Sequence, residues 1–151
     1  MDRIDRHILE LLQRDARQST ADLAEKVGLS ASPCARRVKR LEEEGIIDGY
    51  HANLCKTKVG VGMVVFVEVS LSNHQVDSID VFEGAITEMS QVISCHVVSG
   101  AYDYLLEVVS KDLEGYESFI RQLQCMDTVK DIHTHLSIRQ VKKTRELPVF
   151  N

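Results

Sequence analysis

Residues 19–41, STADLAEKVGLSASPCARRVKRL, decide how the first third of the chain folds. Ser19 followed three residues later by Asp22 has the spacing of a capping box, so a helix of about two turns is predicted here. Leu23, Ala24 and Val27 form its inner face, and Gly28 stands where a helix ends. Leu29 and Ser30 lead into another helix, whose first turn tolerates Pro33 because the early N–H groups have no intrahelical acceptor. Its inner stripe is Cys34 or Ala35, then Val38 and Leu41. A short helix, a Val-Gly-Leu turn and a second helix make a helix-turn-helix, in which the second member lies in the major groove of DNA.

Working outward, Ile4, Ile8, Leu11 and Leu12 fall on one face of a helix from about Asp2 to Arg14. Ser32, Arg36, Arg37, Lys39 and Arg40 on the third helix form the expected DNA contact set. Glu42, Glu43 and Glu44 close that helix with charges that oppose its dipole and repel phosphate, so its first three turns are expected to approach DNA. Downstream, Ile46-Ile47-Asp48-Gly49-Tyr50 carries an Asp-Gly hairpin signal, which predicts two short strands forming a wing. Residues 1–52 are thus expected to be a winged helix-turn-helix domain. Residues 53–61, with Lys56, Lys58 and Gly60 and no helical period, are expected to be a linker.

From residue 62 to 151 the pattern changes to strand, helix, two strands, helix, strand. Met63–Leu71 is a β-branched apolar run of strand length. Ile79, Phe82, Ile86 and Met89 mark a helix face, and Val92–Ser99 and Tyr102–Ser110 read as a hairpin turning at Gly100 and Ala101. Asp112 can cap a helix carrying Leu113, Tyr116, Ile120 and Leu123. From Asp131 to Arg139 the residues alternate, with Ile132, Thr134, Leu136 and Ile138 on one side and His133, His135 and Ser137 on the other. The order βαββαβ is the ferredoxin-like arrangement, so the fold class is α+β: a sheet with both helices on one face. Its other face carries apolar residues too, which predicts at least a dimer.

Composition narrows the function classes. The formal charge of −5 argues against nucleic acid only until its distribution is read. Residues 1–60 hold eleven Lys and Arg against ten Asp and Glu, whereas residues 61–151 hold seven against thirteen. A near-neutral front with a basic cluster and an acidic rear suits a DNA-reading module with a separate regulatory domain. No apolar run approaches the roughly 18 residues of a membrane span, and the first residues lack a signal-peptide layout. Cys34, Cys55, Cys95 and Cys125 show no paired spacing, so neither a zinc ribbon nor a disulfide framework is expected, and a cytoplasmic location with reduced thiols is.

The chain resembles the Lrp/AsnC (leucine-responsive regulatory protein and asparagine regulator) family of transcriptional regulators along nearly its whole length. The residues that carry the resemblance are Asp2-Arg3-Ile4-Asp5 with Ile8-Leu9, Val27-Gly28-Leu29-Ser30, Ser32-Pro33-Cys34 with Arg37-Val38 and Arg40-Leu41-Glu42, then Gly45 and Gly49-Tyr50. In the rear half they are Val98-Ser99-Gly100-Ala101-Tyr102-Asp103-Tyr104-Leu105-Leu106, nearer the leucine-responsive branch, with a departure at Ala101 where that branch has an acidic residue. The resemblance implies a regulatory domain of the RAM type, dimers assembling into octamers, and a free amino acid, leucine or methionine first, bound between dimers. Carried over, the effector-binding set is Gly100, Ala101, Tyr102, Asp103 and Tyr104, with Leu113 behind and Thr134, His135 and Leu136 on the last strand. No metal or other cofactor is implied. The residues themselves suit that chemistry: Gly100 lets backbone N–H groups converge on a carboxylate, Asp103 can meet an ammonium, Thr134 offers a hydroxyl, and Leu113, Leu136 and Tyr102 can wall an apolar side chain.

Two rival readings follow from the same residues. A metal sensor would use Cys95, His96, His133 and His135, although these fall in no compact ligand motif. An enzyme on the ferredoxin-like fold would need acid–base groups such as Asp103 or the His133 and His135 pair, and no nucleophile–base arrangement accompanies them.

Overall fold

The computed structural model describes residues 1–143 and 146–150, which divide into two compact units. One is residues 1–53 together with the described residues from Val141 onward, and the other is residues 54–140. The second domain predicted from the sequence runs to residue 151; the structure instead groups its end with the first unit.

The first unit holds α1 (Arg3–Arg14), α2 (Thr20–Val27) and α3 (Ala31–Glu43). Asp2 caps α1 rather than joining it: its carboxylate accepts the Asp5 N–H at 2.8 Å, and the Asp5 carboxylate accepts the Asp2 N–H at 3.0 Å. The expected box of Ser19 and Asp22 opens α2. Gly28, at φ +70°, ends it, with Gly28 N–H donating to Glu25 O and Leu29 N–H to Ala24 O. This reversal needs the left-handed backbone that glycine adopts without a Cβ penalty. Of the two candidates on α3, Cys34 turns inward, fully buried, beside Ile8, Leu9, Leu23, Ala24 and Leu41.

No strand forms between Glu44 and Gly62, so the two-stranded wing is absent from this chain taken alone. The reason lies in the donors. Ile46 N–H and Ile47 N–H both donate to Leu41 O, closing α3 behind Gly45 at φ +69°, and Gly49 does not take the positive φ that a tight Asp-Gly hairpin turn requires. Residues Lys56–Val59 of the predicted linker form a single 3-10 turn.

In the second unit β1 (Met63–Leu71), α4 (Val76–Glu88), β2 (Val92–Val97), β3 (Tyr104–Ser110), α5 (Leu113–Gln124) and β4 (Val129–Leu136) follow in the predicted order. The sheet is antiparallel throughout, in the order β2-β3-β1-β4. Val65, Val67, Val69 and Leu71 of β1 point to the helices, where Phe82 and Ile86 of α4 and Phe119 and Leu123 of α5 complete the core. Phe119 takes the central place on α5, and Leu113, expected on the inner face, is 70% exposed. β4 starts two residues earlier than its alternation suggested and stops at Leu136, leaving Ile138 exposed beyond its end. Gly62 precedes β1 at a close approach, where a Cβ would collide with the Lys111 carbonyl.

Among the described residues of the first unit, one charged side chain is buried. Asp5 is 1% exposed, and Arg37 Nη1 donates to Asp5 Oδ1 at 2.8 Å and to Asp2 Oδ2 at 2.7 Å, while Arg40 Nη2 donates to Asp5 Oδ2 at 2.6 Å. A buried carboxylate needs such partners, because leaving it unpaired costs several kcal/mol. The hydrogen bond from the Asp5 N–H, helped by Arg37, holds the Asp2 carboxyl down at about 2. Burial pushes the Asp5 carboxyl up, but the Asp2 N–H and the Arg37 guanidinium outweigh it, so it too lies below its ordinary value. Carboxyls depressed in the folded state stabilise fully above their ordinary pKa, 3.8, and lose that contribution as pH falls toward about 2. Asp5→Ala is therefore expected to destabilise the helical unit by about 2 kcal/mol at pH 7, within the range for hydrogen bonds to charged groups. Urea unfolding followed through amide signals of α1–α3 checks this, and the gap between variant and wild type should narrow from pH 4 to pH 2.

Candidate functional site

The predicted DNA contact set divides in two. Ser32, Arg36 and Lys39 recur at i, i+4 and i+7 on the outward face of α3 and are exposed, with Ala35 between them. Arg37 and Arg40 turn the other way, toward Asp5, so their first role is to hold α3 against α1. Charge order along α3 could not separate these two groups, because all four cations look alike in sequence. The overlooked signal was Asp5 itself, which shares a helical stripe with Ile8, Leu9 and Leu12 and so places a carboxylate where only apolar residues belong. The three closing glutamates are each engaged: Glu42 accepts the Tyr50 hydroxyl at 2.8 Å, Glu43 lies 3.4 Å from Lys39 Nζ and Glu44 lies 3.7 Å from Arg40 Nε. Burial, then Glu42, pushes the Tyr50 phenol up to about 12. The negative end of the helix is thereby tempered locally.

The loop from Gly100 to Asp103 leads into β3, with Gly100 at φ +133°. Open space surrounds its Cα, so glycine is needed there for the backbone conformation rather than for clearance. Asp103 is committed to the fold: its Oδ2 accepts the Leu71 N–H at 2.7 Å, its Oδ1 lies 2.8 Å from His74 Nε2, and its own N–H donates to Val69 O at 3.0 Å. The Leu71 N–H and His74 hold its carboxyl below the ordinary range. Tyr104 is buried, donates its hydroxyl to Glu83 Oε1 at 2.8 Å and packs on the Phe82 ring, so it supports the loop from beneath. Burial, then Glu83, drives its phenol well up. Tyr102 turns to the other side of the sheet, its ring 5.0 Å from that of His133. Gly100 and Ala101 are exposed.

The remaining effector candidates lie elsewhere. Leu113 and Thr134, with Tyr116, Ile120, Gln124 and Ile132, line an open depression of about 420 Å³ on the helix side of β4. Leu136, opposite Val65, shares the sheet face of Thr134 and is half exposed. His135 does not share it. Alternation puts that ring on the open face, 3.4 Å from Glu68. Register fixes the separation: the loop sits at the Leu71 end of β1, whereas Leu136 pairs with Val65 six residues back, about 20 Å at roughly 3.3 Å per residue. Within one chain these residues therefore fall into two separate groups.

The residues named for a metal are not brought together. His96 and the pair His133 and His135 stand on opposite edge strands, about 14 Å apart across β3 and β1 at about 4.8 Å per strand, and Cys95 points to the other face from His96. Among the described residues no group of three or more His, Cys, Asp or Glu is placed to hold a metal. No described helix is long and apolar enough to cross a membrane.

Two family models also divide the chain into a front and a rear part, although the second runs to residue 147, past the end of the sheet unit at Gln140. Residues 1–48 match the family model for winged helix-turn-helix DNA-binding, and residues 64–147 match that for the Lrp/AsnC ligand binding domain. The chain is 37% identical over 150 residues to the leucine-responsive regulatory protein of Escherichia coli K12, covering 99% of this chain and 92% of that protein. A crystal structure of an AsnC family transcriptional regulator from Agrobacterium tumefaciens superposes with a TM-score of 0.93 at 38% identity, covering 98% of this chain and 97% of that one. A transcriptional regulator from Neisseria meningitidis in complex with L-Met superposes with a TM-score of 0.94 at 33% identity, covering 98% and 96%. A helix-turn-helix joined to a four-stranded ligand-binding sheet, matched over almost its full length, places this chain in the Lrp/AsnC family of transcriptional regulators, not among enzymes.

Proposed function

We propose that the chain reads DNA through Ser32, Arg36 and Lys39 on α3, and that its regulatory unit binds an apolar amino acid, methionine or leucine, in a pocket completed by a second copy. The observation that carries this reading is the separation of the two groups. Gly100 and Ala101 lie exposed at one end of the sheet, and Thr134 and Leu136 lie exposed near the other. Two copies meeting end to end would bring one set against the other. The L-Met complex of the Neisseria meningitidis relative supports an amino-acid effector for the same fold.

The chemistry of the pocket differs from its sequence-level outline in one respect. Asp103 is engaged by Leu71 and His74, so it shapes the loop and is not a free counter-ion for an ammonium group. The backbone at Gly100 and Ala101 is the anion-binding element, and Leu113, Thr134 and Leu136 of the neighbouring copy supply the wall. Burying a side chain there contributes about 0.8 kcal/mol per methylene, which favours leucine or methionine over alanine by about 2 kcal/mol.

Assembly runs through the second unit. Val64, Phe66, Leu105 and Val109 lie on the sheet face away from the helices, and β2 and β4 are unpaired edges. Faces and edges of this kind are covered by partner copies in oligomers. The assembly consistent with both contacts is a dimer through the face, joined end to end with other dimers into an octamer. Each dimer would read half-sites one helical turn apart, or multiples of it.

Two measurements check these assignments. Arg36→Ala and Lys39→Ala should each lower the salt slope of operator binding by about 1 without moving the urea midpoint, whereas Arg37→Ala should lower both affinity and stability. If Arg36→Ala and Lys39→Ala leave binding intact, α3 is not the contact surface. Calorimetric titration should give heat with methionine and leucine and weaker binding with lysine, aspartate and alanine, and light scattering should show methionine shifting the assembly, since a ligand stabilises the oligomer that completes its pocket. Binding of methionine to a species that remains monomeric would overturn the shared pocket.

A further inference from the structure

The chain leaves the helical unit after Asn53, forms the sheet unit and then returns: the described residues from Val141 onward group with residues 1–53. The return is anchored on the last turn of α1. Gln13 pairs both polar atoms of its side-chain amide with the backbone of Leu147, Nε2 donating to Leu147 O at 3.1 Å and Oε1 accepting the Leu147 N–H at 2.6 Å. That two-point match leaves no room for a register shift at Leu147. Arg14 Nε lies 3.7 Å from Glu146 Oε2, and Val149 packs against the helical core cluster of Ile8, Leu9 and Leu41. Leu147 and Phe150, by contrast, are 74% and 79% exposed.

We infer that residues 146–150 are a releasable clasp of the DNA-binding unit, docked on α1 to hold α1 and α3 in the arrangement that presents Ser32, Arg36 and Lys39. α1 is gripped at both ends. Its first turn is tied to α3 through Asp5, Arg37 and Arg40, and its last turn is tied to the clasp through Gln13 and Arg14. The first tie centres on a buried carboxylate, whereas the second includes exposed hydrogen bonds, an exposed ion pair and one half-buried valine. Exposed ion pairs contribute little, so the clasp is the tie that opens first. The role in presenting α3 rests on the DNA-reading proposed above; the docking does not.

The test uses the full chain, the variants Gln13→Ala and Val149→Asp, and a chain ending at Lys143. Amide exchange of α1 is compared with that of β1 as an internal reference, together with operator affinity. Alanine is the best helix former, so faster exchange in Gln13→Ala cannot come from lost helix propensity. All three altered chains should exchange α1 amides at least tenfold faster, keep β1 within twofold, and bind operator three- to tenfold more weakly. Unchanged α1 exchange in the chain ending at Lys143 would overturn the clasp, and faster exchange with unchanged operator affinity would overturn its presenting role. Failure of the wild-type chain to bind any operator would instead count against the DNA reading, and the exchange comparison would still decide the docking.

Discussion

A carboxylate sealed in a small helical core must be matched, and the way Asp5 is matched sets the geometry of the whole first unit. Its two oxygens accept from Asp2, Arg37 and Arg40, so one buried charge fixes the start of α1 and one side of α3 together. Hydrophobic contacts alone would let α3 rotate or slide by small amounts at little cost, since apolar packing is not directional. Hydrogen bonds to two guanidinia are directional, and they orient the opposite face of α3 toward solvent. The exposed face of α3 is thus aimed by Asp5, Arg37 and Arg40 from the side that packs on α1.

The second unit follows a different rule. Its core is apolar apart from the Tyr104 hydroxyl, which bonds Glu83, and is built from alternate residues of β1 and β3 against two helices, while many of its charged groups lie on the open face. Glu68, Glu107, His96, His133 and His135 share that open face with Phe66 and Leu105, where Lys56 meets Glu107 at 3.0 Å and His135 meets Glu68. Such a mixed surface suits contact with another copy better than burial inside one chain. Loop geometry is governed from below by Tyr104 and from the side by Asp103, both held by residues distant in sequence.

Much of this was legible in the sequence because local rules and the global fold agree. The caps at Ser19 and Asp112, the turn at Gly28 and the β-branched apolar run of β1 each specify an element without reference to the rest. What could not be read were choices made across space. The Asp-Gly pair signals a hairpin, yet Leu41 O had already taken the N–H groups of Ile46 and Ile47. Four cations on α3 look equivalent until a buried acid 32 residues away claims Arg37. A glycine, an aspartate and a threonine suit one ligand chemically, but strand register separates them along β1. In each case a partner remote in the chain overrides a sound local preference.

The pairing of Gln13 with Leu147 spans 134 residues, and it orders events during synthesis. At roughly 5–20 residues per second, the helices emerge from the ribosome on the order of ten seconds before the segment that closes on them. During that interval the sheet unit can form while α1 still lacks its last tie. A chain lacking residues 146–150 would carry every described helix and strand yet leave Gln13 unmatched.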